Sequence, residues 1–370
     1  MTALERKERL DKMRIVFFGV GASTREILGQ IKEFPQSICV LGFIDNDSER
    51  WGSFMGRRVQ SPQILKTLEY DYIIILSNLY FDEMKDSLIY WHGVAENKIK
   101  GRNDLLQFLF AEKYKDSDDP EIQAILNYWN TNEFSVFNQY IKEEITFDIV
   151  EWDYIENMPY IMFEDKRMYF PLDTKFDVLD GKKVVVDILS EQQATSPHLY
   201  VKDDIVINDG DVIADAGVCE GNFILRYIEK VSKAYLFESD RRWKKALELS
   251  LKKFSDKVVM CDGYLGLCDG KDSVSLDTMI RGRLDFLKMD IEGAEPMALL
   301  GGRKVLLNNN VKCSICSYHR YNDVNTISDI LQLYGYRTNT SDGYMLFFHD
   351  KDIFSSIDFR RGIVYGRKDR

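Results

Sequence analysis

The segment Asp211–Phe223, DVIADAGVCEGNF, constrains the fold of this 370-residue chain more than any other. It reads as a buried strand, then a turn carrying Gly217 and Gly221, then a helix from Asn222. A second strand, Ala234-Tyr-Leu-Phe-Glu238, ends on a carboxylate 23 residues after Asp215. Glycines let the backbone approach a ligand closely, and an acid at the next strand end accepts hydrogen bonds from ribose hydroxyls. The pattern therefore predicts a doubly wound α/β sheet that holds a nucleoside. The turn is not the G-x-G-x-x-G dinucleotide form, and no Lys-Ser/Thr follows to hold a triphosphate.

The turn has instead a D-x-G-x-x-x-G form, and further on comes the block Lys288-Met-Asp290-Ile-Glu292-Gly-Ala-Glu295, followed by a helix with Leu299-Leu-Gly-Gly302. Together with Gly210-Asp211, Glu220-Gly-Asn-Phe223 and Phe237-Glu238, these make roughly Tyr200 to Phe348 resemble the FkbM family of methyltransferases, which use S-adenosylmethionine. Three features depart from the family pattern: Ser239 replaces the usual proline, Cys219 replaces a small or polar residue, and the Asp262–Ser275 segment is short. The resemblance implies a class I methyltransferase domain that methylates a sugar hydroxyl of a nucleotide-linked or polysaccharide precursor. It also implies that Asp215 orders the glycine turn and the methionine end of the cofactor. Gly217, Gly221 and Asn222 would line the cofactor, Glu238 would bind the ribose diol, and Asp262 would lie by the adenine amine. Each has a plain alternative: a strand-end cap, turn glycines, a surface carboxylate and a loop aspartate.

Asp290 ends the fourth strand of this domain, at the carboxyl edge where open α/β sheets place ligands. It is a candidate for contacting substrate or the cofactor's amino group. Asp290, Glu292 and Glu295 lie close together and repel unless something offsets them. Either Asp290 and Glu292 share Mg²⁺, an option the sequence allows without predicting it, or Glu295 caps the helix that begins near Pro296. His319 follows the next strand on the same edge and is the candidate base for an acceptor hydroxyl, since imidazole titrates near neutral pH. A hydrogen-bonded loop histidine is the alternative. Tyr318 and Arg320 flank it as candidate binders of acceptor hydroxyls or phosphate.

A formal net charge of −11 argues against a nucleic-acid partner. No run of 18 apolar residues suggests a membrane span, and the N-terminus reads as a charged helix rather than a secretory signal. The six cysteines sit mostly in apolar runs, which suits a reducing cytoplasm. Cys313-x-x-Cys316-x-x-His319 has the look of a metal motif, but residues three apart on a strand face opposite ways, and no second Cys/His pair completes a zinc set.

A second Rossmann-like unit opens the chain. Strand Arg14–Gly19 leads through Gly19 and Gly21 into a helix, strand Ile38–Ile44 ends on Asp45-Asn-Asp47, and strand Tyr72–Leu76 ends on Ser77-Asn78. Continuous apolar runs alternating with helices imply a parallel sheet covered on both faces. This unit resembles the small domains found ahead of sugar-modifying enzymes of surface-polysaccharide pathways. The resemblance implies a nucleotide or nucleotide-sugar bound at Gly19, Gly21 and Asp45, with helix-start N–H groups meeting phosphate. A docking or dimerisation domain with a vestigial turn is the alternative. The expected division is residues 1–102 as this domain, 103–150 as a helical connector, 151–200 as an aromatic-rich strand segment with a hairpin covering the cleft, and 201–370 as the methyltransferase domain. A non-catalytic nucleotide-sugar-binding scaffold remains as a rival reading, and a homodimer would cover the aromatic middle segment. An NAD-dependent oxidoreductase would need a Tyr-x-x-x-Lys pair, whereas Tyr140 is followed at that spacing by Glu144.

Overall fold

The computed structural model describes residues 12–132, 134–135, 140, 150–174, 185–186, 188–348 and 350–369. The expected N-terminal helix and Glu144 fall outside them. The chain divides into two compact units, Met1–Ser135 with Phe348–Asp358, and Val136–Phe347 with Phe359–Arg370. Residues 103–135, expected as a connector, thus belong with the first unit, and a C-terminal stretch returns to it.

The first unit contains strands β1 (Met13–Phe18), β2 (Ile38–Ile44), β3 (Gly52–Phe54), β4 (Arg57–Gln60), β5 (Tyr72–Ile75) and β6 (Ile99–Lys100). They form one sheet in the order β3-β4-β2-β1-β5-β6. All neighbours pair in parallel except β3, which runs antiparallel to β4 at the edge. The central strand shows why its sequence is continuously apolar: Ile15, Val16, Phe17 and Phe18 are all buried, because helices and loops cover both faces. Helix Pro120–Trp129 starts where Asp119 accepts from the N–H groups of Glu121 and Ile122, and it buries Ile122, Ile125 and Trp129.

The second unit begins with a three-stranded meander, β7 (Glu151–Asp153), β8 (Met158–Phe163) and β9 (Lys166–Tyr169). The expected hairpin between β8 and β9 closes through Glu164 and Asp165, both at positive φ, which matches the right-handed twist of its strands. The main sheet uses β10 (Val212–Ala216), β11 (Lys233–Phe237), β12 (Val258–Cys261), β15 (Phe286–Met289), β16 (Lys312–Cys316), β17 (Arg337–Thr340) and β18 (Ile363–Arg367). Two short strands, β13 (Tyr264–Leu265) and β14 (Ser273–Val274), pair separately. The order is β12-β11-β10-β15-β16-β18-β17, with β18 antiparallel to both of its neighbours. Five parallel strands that wind outward from β10 in both directions, followed by an antiparallel last strand, give the doubly wound sheet expected of a class I methyltransferase. The reversal lies between β10 and β15, so a crevice opens at their carboxyl ends.

Candidate active site

The glycine turn after β10 is built by close packing of protein on protein. Gly217 has φ +73°, and a Cβ there would overlap the backbone carbonyl of Asp290 at the end of β15. Gly221 has φ +83°, and its missing Cβ leaves room for the Leu247 side chain. Both residues must be glycine for the two strand ends to meet, whatever binds above them. The Gly217 N–H donates to the Phe237 carbonyl at 2.9 Å, tying the turn to β11.

Glu238 sits at the end of β11 and grips the same turn. One carboxylate oxygen accepts from the Cys219 N–H at 2.9 Å and the other from the Asp240 N–H at 2.7 Å. Each oxygen keeps a further acceptor position, so a pair of vicinal hydroxyls can still be held. Asn222, at the helix start, is buried. Asp45 in the first unit repeats the device: it accepts from Val20 N–H at 3.1 Å and Asp47 N–H at 2.9 Å, while Gly19 N–H donates to the Ile44 carbonyl at 2.8 Å. Gly19 has φ +88° and is covered by the Met84 side chain, whereas Gly21 has open space around it. An open cleft of about 400 Å³ nearby is lined by Asn46, Glu83, Asp86, Ser87, Tyr90 and Trp91. It presents two carboxylates and no basic side chain, so a phosphate would find no cationic partner within it.

Asp215 does not face the crevice. It is fully buried against Lys288, 3.0 Å away, a lysine that is itself buried in the central strand β15. Burial pulls the Lys288 ammonium down, but attraction to Asp215 and Asp290 outweighs it and holds the charge in place. Burial pushes Asp215 up, against the opposing pull of Lys288. Lys288 also donates to the Gly217 carbonyl. Asp215 thus orders the glycine turn through Lys288. Asp262, expected by the adenine, has a 91% exposed side chain in an ion pair with Lys244.

Asp290 is the hub of a buried polar cluster. One oxygen accepts from the Tyr200 hydroxyl at 2.8 Å and lies 3.4 Å from His198 Nε2; the other lies 3.2 Å from His319 Nε2. Burial would raise its pKa, but the two imidazoles outweigh that and hold it well below the usual carboxylate range. Its side chain is 20% exposed, while those of His198 and His319 are each 1% exposed. Asp290 is therefore the member of this group that can meet a ligand.

Two expectations are corrected here. Glu295 does not cap its helix: Ala294 occupies that position, and Glu295 is fully buried, accepting from Ile291 N–H at 2.8 Å and lying 3.0 Å from His319 Nδ1. His319 is accordingly a poor base. Burial opposes its charge, but Asp290 and Glu295 on either side outweigh that and push its pKa up to about 10, so it stands protonated at neutral pH. The carboxylate repulsion is offset by imidazolium and ammonium groups. Glu292 is exposed, and among the described residues the groups that converge with Asp290 are His198 with Cys316 and Glu295 with His319. Tyr318 packs its ring against His198 and His319, at centroid distances of 5.4 and 4.3 Å. Arg320 lies over Gly293, where a Cβ would strike its side chain.

Spacing gave no sign of His198 or Tyr200 and flagged Cys316 only as part of a Cys-x-x-Cys-x-x-His run, because these residues reach Asp290 from separate parts of the chain. Lys288 left a signal: a lysine inside Phe286-Leu-Lys-Met289, an otherwise apolar central strand, is a buried charge that needs a partner.

Residues 178–338 match the family model "Methyltransferase FkbM domain". The matched stretch lies within the second unit. Residues 11–100 match the model "C2185-like, N-terminal", which leaves the nucleotide-sugar reading of that unit as a proposal. Among solved structures the chain is similar to a methyltransferase FkbM from Methylobacillus flagellatus KT, at 18% identity over 99% of this chain and 94% of that one, with a TM-score of 0.41. It is also similar to a precorrin-6y C5,15-methyltransferase from Geobacter metallireducens GS-15, at 13% identity over 54% and 93%, TM-score 0.31. A SAM-dependent methyltransferase from Aquifex aeolicus gives 15% identity over 52% and 98%, TM-score 0.33. No curated protein matches.

Proposed function

We propose that the second unit is an S-adenosylmethionine-dependent O-methyltransferase whose acceptor is a sugar hydroxyl. The observation that carries the cofactor assignment is the Glu238 carboxylate, oriented by the turn's own N–H groups with acceptor positions to spare beside the 215–221 glycine turn. The residues fit the group: Glu238 would hold the ribose diol, and Gly217, Gly221 and Asn222 would bring backbone against the rest. When bound, the cofactor supplies an electrophilic methyl group on a sulfonium. Asp290, fixed by Tyr200 and two imidazoles, would accept a hydrogen bond from the acceptor hydroxyl and orient its oxygen for in-line attack. Tyr318 and Arg320 would border the acceptor. The acceptor class follows from the family resemblance, as does a nucleotide or nucleotide-sugar ligand for the first unit.

Isothermal titration with S-adenosylmethionine tests the assignment. Wild-type protein should bind at micromolar levels, and Glu238→Ala should bind at least about tenfold more weakly, the loss of roughly one charge-assisted hydrogen-bond pair. Equal affinities would sink the cofactor site. Absence of binding in the folded wild type would favour the scaffold reading.

A further inference from the structure

We propose that His198, Asp290 and Cys316 bind a divalent transition-metal ion, zinc by ligand type. Their ligand atoms converge: His198 Nε2 lies 3.2 Å from Cys316 Sγ and 3.4 Å from an Asp290 oxygen, and all three lie within 4.8 Å of one another. The Tyr200 hydroxyl is also 3.4 Å from Nε2. A ring nitrogen offers one proton or one lone pair, yet three heteroatoms crowd this one. A cation at their centre would engage all of them. Around a tetrahedral zinc, with bonds of about 2.0–2.3 Å, neighbouring ligand atoms stand about 3.3–3.7 Å apart. The observed separations need little change to accept one.

A second observation is independent of the first. The other ring nitrogen of His198 lies 3.4 Å from a Glu191 oxygen. Metal-ligating histidines are oriented in this way, by a carboxylate on the nitrogen that does not bind the metal. Thiolate and imidazole select zinc-like ions over magnesium, so this site differs in position and chemistry from an Asp290–Glu292 magnesium site. Cys316 and Cys313 face separate cores on opposite sides of β16, as the strand period requires, so the site uses one cysteine of that pair. The entering ion displaces the Nε2 proton of His198 and the thiol proton of Cys316, and a chelator returns both positions to protons. Three protein ligands leave a fourth position, bordered by the Tyr200 hydroxyl. Asp290 keeps its second oxygen toward His319.

The test is a cobalt(II) titration of the full-length protein, without added thiols, followed by absorption. Wild type should develop a thiolate-to-cobalt charge-transfer band that saturates at a single equivalent. Cys316→Ser should lose the band, and Cys268→Ser, an exposed cysteine elsewhere, should keep it. Glu191→Gln should weaken cobalt binding by about 10–100-fold, the usual effect of removing a supporting carboxylate. Folded wild type without the band overturns the proposal, as does a band that survives Cys316→Ser. Should Cys316→Ser fail to fold, the Cys219→Ser/Cys268→Ser double variant decides in its place: a retained band supports a buried thiolate ligand, and its loss overturns the proposal. An S-adenosylmethionine titration of the same sample separates the two ideas. Cofactor binding without the band removes only the metal, and the band without cofactor binding removes only the methyl-transfer reading.

Discussion

At Gly217 the backbone is left-handed and a methyl group has no space, because the Asp290 carbonyl already occupies it. Gly217→Ala should therefore cost about 3 kcal/mol or more in chemical denaturation, combining backbone strain with a clash against main chain that cannot rotate away. Gly21, with φ −74° and open surroundings, provides the contrast. Gly21→Ala should cost under about 1 kcal/mol, the difference between two weak helix caps. Asp323 carries a pH signature. Burial pushes its carboxyl up to about 6 while it accepts from the Arg320 N–H at 2.8 Å. The folded protein keeps a proton there that the unfolded chain loses near the ordinary value of 3.8. The associated stability is present in acid and falls as pH rises from about 4 to about 6. Asp323→Asn keeps the acceptor and removes the charge. It should flatten that slope and stabilise the protein at neutral pH by about 1–2 kcal/mol in urea titrations, a figure discounted for partial burial.

Strand β15 shows what an element does beyond its own hydrogen bonds. Phe286, Leu287 and Met289 fill the core, while Lys288 reaches Asp215 and the Gly217 carbonyl. One side chain thus fixes the register between the central strand and the turn that precedes the helix. Lys288→Met should cost about 3–5 kcal/mol, because it strands the Asp215 carboxylate without a partner. Adding Asp215→Leu should recover much of that loss, since replacing both charges with apolar groups is far milder than breaking the pair. A double mutant no more stable than Lys288→Met would show that the turn depends on the Lys288 contact to Gly217 and not on charge pairing. The sequence marked this element well, by its apolar run and the carboxylates after it. Its lysine was legible too, as the one charge in the run.

At the scale of the whole molecule, the chain returns to its first unit after building most of the second. Phe348 packs its ring on Phe134 at 5.3 Å, Arg102 lies over the Phe354 ring at 5.1 Å, and Gln30 bonds both the Lys351 carbonyl and the Phe354 N–H. Excising 350–356 with a short glycine bridge should lower the melting transition of the first unit by several degrees in calorimetry, at about 2–4 °C per kcal/mol for a unit of this size. An unchanged transition would make the returning stretch a passive tether. Linear reading placed it in the C-terminal domain because nothing in its composition assigns it to either core.

What the sequence determined by itself is the local and periodic part. Apolar runs between helices specify two parallel sheets, glycines supply the left-handed turns at Gly19, Gly217 and Gly221, and Asp119-Pro120 starts a helix where capping chemistry demands one. The candidate edge was also legible, since Asp215, Glu238, Asp290 and His319 all follow or end strands. Tertiary structure alone decided what those groups are. It buried Asp215 with Lys288, set His319 between two carboxylates and so made it an imidazolium, and brought His198, Tyr200 and Cys316 to a single carboxylate. The reason is physical: strand position follows from short-range periodicity, whereas the charge state of a buried group is set by partners within a few ångströms, and those arrive from anywhere along the chain.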